Sequence, residues 1–89
     1  MDNKNSETDV VGAVEYVVSD EARRRIENTF TYHAPKSDQT RRYGALRDEA
    51  KMLAFMIEAY VPNSREKSLA LTKLEECIMH ANSGIARNE

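Results

Sequence analysis

Residues 40–88 read TRRYGALRDEAKMLAFMIEAYVPNSREKSLALTKLEECIMHANSGIARN, and their apolar positions decide the fold. Tyr43, Leu46, Ala50, Leu53, Ile57 and Tyr60 succeed one another at spacings of three and four, which places them on one face of an amphipathic helix of about five turns. This helix begins at Gln39 or Thr40. Pro62 lacks the N–H that helix continuation needs, so it stops the helix; Asn63 supplies the turn and Ser64 the N-cap of a second helix. There Leu71, Leu74, Ile78, Ala81 and Ile85 repeat the seam, widened by Leu69, Cys77 and Met79. A connection this short allows only an antiparallel neighbour, so the two helices are expected to form a hairpin.

Upstream of the hairpin, TFTYHAPKSDQ (29–39) has alternating residues, Pro35 and turn formers, and is expected to be extended and then loop. Ser19 or Asp20 can cap a short helix through Asn28, with Asp20 and Glu21 at its positive end and Arg23, Arg24 and Arg25 beyond. VVGAVEYVV (10–18) fits a short strand or a helical turn equally, and the polar residues 1–9 are expected to be disordered. The expected fold is therefore all-α, with residues 1–18 an N-terminal extension and residues 19–89 a short helix plus a long antiparallel hairpin. Two helices cannot close a core. Met52, Phe55, Met56, Tyr60 and Met79 spread beyond a two-helix seam and are expected to bury against the N-terminal helix and against another chain, which makes the protein homo-oligomeric.

At 89 residues the chain fits a single small domain, and the lone Cys77 offers neither an internal disulfide nor a cysteine-built zinc site to brace it. Small chains without such a staple often gain stability by oligomerising. No apolar run approaches the ~20 residues a bilayer span requires, and the polar start is unlike a signal peptide, so a cytoplasmic protein without membrane contact is expected. The net charge of −2 conceals an asymmetry: residues 1–22 carry six acids against one lysine, whereas residues 23–89 carry twelve bases against nine acids. That mild basicity is too weak for a duplex-DNA binder, and no recognition helix stands out, but it suits one small anionic ligand.

Catalysis has little support. His33 and His80 are the only histidines, and neither a phosphate loop, HExxH nor a nucleophile elbow is present, so a non-enzyme without metal or cofactor is expected. Glu75 and Glu76 read as a solvated pair, Cys77 as an inert small hydrophobe, and His80 as a packing residue. Anion binding has more support. Arg65 and Lys67 lie in the first turn of the last helix, where free N–H groups and the helix dipole attract negative charge, although capped starts with solvated cations are common. A second basic group is Lys36, Arg41, Arg42, Arg47 and Lys51, with Arg47 and Lys51 four apart on one face. Beside it in sequence, Tyr32 or His33 can stack on a base, or else plug a core.

The order IENTFTYHAPKSDQ, then SREKSLALTKLEECIMHANSGIARN, resembles the phage anti-CBASS cyclic-oligonucleotide sponges, small helical-hairpin proteins that share a domain type with sponges for cyclic ADP-ribose signals. The likeness covers about residues 26–88. It implies a homohexamer in the cytoplasm of the infected bacterium that binds cyclic dinucleotides, and cyclic trinucleotides as a further class, without cleaving them. Sequestration keeps the messenger below the threshold of the CBASS effector. Under that resemblance Tyr32 stacks on a base with His33 beside it, Lys36, Arg47, Lys51, Arg65, Lys67 and Arg87 are candidate phosphate contacts, and Thr72 adds a hydroxyl. Arg87 equally suits the negative end of its helix. The competing reading is a helical protein-interaction module that docks a partner on its apolar stripe and has no nucleotide ligand.

Overall fold

The computed structural model describes residues 15–89; the expectations for residues 1–9 and for Val10–Val14 of the VVGAVEYVV stretch lie outside them. Among the described residues there are three helices and no strand: α1 (Asp20–Thr29), α2 (Gln39–Tyr60) and α3 (Arg65–Asn88). Residues 15–19 have no regular secondary structure. The chain divides into two compact units at the Phe30–Thr31 boundary.

The first unit contains α1. Ser19 caps it, its hydroxyl accepting from the Ala22 N–H at 3.1 Å, and Asp20 and Glu21 occupy the first turn where the dipole favours acids. The Phe30 N–H closes the last turn on the Ile26 carbonyl. None of the residues of α1 is buried.

The second unit is the hairpin. A turn at Ser37 and Asp38 leads from residues 31–36, which have no regular secondary structure, into α2, and Ser37 takes φ 55°, the left-handed conformation that costs a non-glycine residue about 1–2 kcal/mol. The Val61 N–H ends α2 on the Ile57 carbonyl, and Pro62, Asn63 and Ser64 reverse the chain. Ser64 caps α3 as its position suggests: the hydroxyl accepts from the Lys67 N–H at 3.1 Å and donates to the Pro62 carbonyl at 2.9 Å.

The seam follows Tyr43, Leu46, Ala50, Ala54 and Ile57 on α2 against Ala70, Leu71, Leu74, Ile78, Ala81 and Ile85 on α3, all half-buried. Leu53 and Tyr60, expected on this seam, are exposed, and Ala54 takes the place of Leu53. A methyl group lets the helices approach where a leucine would hold them apart. Leu69, Cys77 and Met79 likewise lie off the seam, exposed. Among the described residues no apolar side chain is fully buried. Within the hairpin unit Met52 is 64 % and Phe55 66 % exposed, and Met56, Tyr60 and Met79 also stand open, so the hairpin itself does not cover them.

Candidate functional site

Small residues shape a depression on the hairpin. Ala50 and Ala54 sit one turn apart on α2 opposite Leu71, Leu74 and Ile78 of α3, and their missing bulk leaves an apolar trough. Its widest stretch has a volume of about 410 Å³, within the range of small-molecule sites, with Arg47, Lys51, Glu75 and Asn82 at its edges. One end passes Arg47 and Asn82 to reach Tyr43 and Ser83; the other passes Lys51 to reach Phe55 and Glu58.

Two features of this groove suit a polar ligand. Arg47 and Lys51 are exposed and make no ion pair among the described residues. The guanidinium of Arg47 reaches back along α2 over Gly44, where an added Cβ would meet Nη1 at 4.0 Å. Asn82 Oδ1 is buried without a hydrogen-bond partner, a state that costs about 1–3 kcal/mol until a donor arrives. Among the described residues no group of histidines, cysteines and carboxylates is placed to hold a metal.

The ends of the hairpin are closed by charge. At the tip, Lys67 is only 8 % exposed, and its ammonium donates to Asn63 Oδ1 at 3.1 Å and pairs with Glu58 Oε1 at 3.2 Å. At the base, Arg42 grips the Glu89 carboxylate through both terminal nitrogens, at 2.8 Å and 2.5 Å. Gln39, 2 % exposed, donates to the same carboxylate at 3.0 Å and accepts the Lys36 N–H at 3.1 Å. The Lys36 ammonium reaches the backbone oxygen of Glu89 at 2.6 Å. Asp38 adds ion pairs to Arg41 and Arg42. Hydrogen bonding by Arg42 and then Gln39 holds the Glu89 carboxyl down at about 2; Arg41 and Arg42 lower that of Asp38, and Glu89 raises the Arg42 guanidinium above its ordinary value.

The nine residues singled out from the sequence are spread over the length of the hairpin. Arg65, Lys67 and Thr72 lie toward the tip, Arg47 and Lys51 along the groove, and Lys36 and Arg87 at the base. From Arg65 to Arg87, α3 climbs about 33 Å, so one small ligand cannot touch every cation of one chain. Tyr32 is 82 % exposed in the segment before α2 and His33 half-buried beside it. Gln39, Asn82 and Glu89 were missed, and Arg42 was named in the basic group without its partner. The capping position of Gln39 signals a helix start and nothing more, and no periodicity pairs Arg42 with a residue 47 positions away.

The sequence model of the Acb2/Tad1 hairpin domain matches residues 22–86. The chain belongs to this family, that of the phage anti-CBASS cyclic-oligonucleotide sponges. Acb2/Tad1 hairpin domains are associated with anti-CBASS sponge activity, a binding rather than a catalytic role. The match takes in all of α2, nearly all of α3 and the groove between them, and leaves out residues 1–21 and the Glu89 end of the basal clasp. No curated protein and no solved structure matches the chain. No helix among the described residues is long and apolar enough to cross a membrane.

Proposed function

We propose that this member of the Acb2/Tad1 hairpin family sequesters cyclic dinucleotides, and cyclic trinucleotides as well, without cleaving them, and so keeps CBASS effectors inactive in the cytoplasm of the infected bacterium. The observation that carries this reading is the hairpin groove. Arg47 and Lys51, both without ion pairs among the described residues, sit beside an apolar floor and the orphaned acceptor of Asn82. A nucleotide supplies what each of these lacks: an anion for the cations, a flat base for the floor, and an exocyclic amine for the acceptor. Tyr32 and His33, with Lys36, Arg65, Thr72 and Arg87, join the site from neighbouring copies of a homohexamer, which brings together residues too far apart in one chain; Lys67, buried with its charge on Glu58, braces the tip instead. The exposed stripe of Met52, Phe55, Met56 and Met79 is the apolar surface such an assembly would cover.

Calorimetry against a panel of cyclic di- and trinucleotides tests the reading, followed by heat denaturation and chromatography of the released ligand. Saturable binding and recovery of intact ligand are expected. No binding across the panel, or release of linear nucleotide, overturns it. High salt should abolish nucleotide binding, whereas docking of a protein on the apolar stripe would survive it.

A further inference from the structure

The clasp at the base of the hairpin is built as an anion site and is occupied by the chain itself. Three donors from two residues converge on the Glu89 carboxylate, both terminal nitrogens of Arg42 and the amide of Gln39, and the Lys36 ammonium stands beside them on the Glu89 backbone oxygen. Gln39 is almost fully buried, and its Oε1 accepts the Lys36 N–H, which leaves its NH2 directed at the carboxylate. The cradle is thus held in shape by its own backbone, as a recognition site requires. The bound group, by contrast, is half-exposed and hangs from the end of α3 beyond the last family-matched residue, whereas all three cradle residues lie within the match. Among the described residues Arg41 and Arg42 pair with Asp38 and Glu89, and Lys36 with the Glu89 backbone oxygen, so removal of the Glu89 side chain leaves these three cations with one paired carboxylate, Asp38.

We infer that Lys36, Gln39 and Arg42 form a phosphoryl-binding site whose resident anion in the free protein is the Glu89 side chain, a tethered competitor that an incoming phosphate displaces. A bidentate guanidinium accepts phosphate oxygens in the same fork geometry as a carboxylate. The tether places Glu89 at a high effective concentration, so it lowers the apparent affinity by the fraction of time it occupies the cradle. Weak anions are thereby excluded, and a ligand that presents its phosphate as part of a larger contact is admitted. The identity of that ligand as a cyclic oligonucleotide rests on the function proposed above; the displacement does not.

The test is titration of inorganic pyrophosphate into the full chain, read by the 15N-edited signals of the Gln39 side-chain amide, with chloride of equal ionic strength as control. In the unaltered protein the Gln39 amide should shift in a saturable way with pyrophosphate and not with chloride. Glu89→Gln should lower the half-saturation concentration at least about fivefold, and Arg42→Gln should abolish saturation; circular dichroism confirms that both variants remain helical. An unmoved Gln39 amide, or equal or weaker binding by Glu89→Gln, shows that the clasp is a brace and overturns the inference. A parallel titration with a cyclic dinucleotide separates the two ideas. Nucleotide binding with an unmoved Gln39 retains the sponge and overturns the tethered competitor; displacement by pyrophosphate without nucleotide binding does the reverse.

Discussion

Replacement of Asn82 by leucine should make the chain more stable and a poorer binder. Asn82 Oδ1 is buried beside the groove with no donor, and such an atom costs about 1–3 kcal/mol of desolvation. Leucine nearly matches asparagine in size and branching and has no acceptor to desolvate, so the variant recovers most of that cost. For a domain this small 1 kcal/mol corresponds to about 4–8 °C in melting temperature, which puts the expected rise at about 4 °C or more. Nucleotide binding moves the other way: the ligand donor that Asn82 would satisfy loses a hydrogen bond worth about 0.5–1.5 kcal/mol, a two- to tenfold loss of affinity. Thermal melts must be run at one fixed protomer concentration, since assembly shifts apparent stability by mass action. Calorimetry supplies the affinity. A lower melting temperature, or unchanged affinity in a variant that melts higher, refutes the reasoning.

Lys51→Ala and Tyr32→Ala should each raise the cyclic-dinucleotide dissociation constant several-fold or more by calorimetry, since a charge-assisted phosphate contact contributes about 1.5–3 kcal/mol and a stacked base about 1–3 kcal/mol. Only the lysine variant should show a shallower salt dependence. Phe55→Asp should shift sedimentation toward a single chain while helicity persists, because it puts a charge in the middle of the open apolar stripe. The Glu89 carboxyl titrates at about 2 when folded against an ordinary value of 4.5, so its stabilisation is complete above pH 4.5 and lost as pH falls through 2. Asp38, lowered from 3.8, acts in the same direction. Urea denaturation from pH 5 to pH 2 should show a loss, kept small by solvent screening of the half-exposed pair, that Glu89→Gln reduces.

The hairpin was legible because period and punctuation agree: the apolar repeat of α2 ends at Pro62, and Ser64 opens α3. The register of the seam was less so. Leu46, Ala50, Leu53, Ile57, Tyr60 and Leu46, Ala50, Ala54, Ile57 are both helical faces, and only the partner helix, which prefers the smaller residue at close approach, chooses between them. Arg47 and Lys51 could be placed on one face from their spacing, but the groove beside them needs the pairing of Ala50 and Ala54 with Leu71 and Leu74, which no local pattern states. Lys67 looked like a free cation because a lysine in a first turn usually is one. Its long stem instead lies under the turn with its charge on Glu58. The clasp was invisible for a similar reason, since its contacts join residues 47–53 positions apart.

The four residues 61–64 that reverse the chain have a kinetic consequence. Closure of so short a loop costs little entropy, and every later α2–α3 pairing extends the last one outward from the turn, so the hairpin can zip rather than search. Chains of such low contact order fold in microseconds to milliseconds. Yet no apolar side chain among the described residues is fully buried, so a surface that covered the exposed stripe would slow unzipping further. Formation is thus a first-order event, indifferent to abundance, whereas in the proposed assembly the lifetime of the hairpin becomes second-order, since it grows with the cover that the stripe receives from other copies.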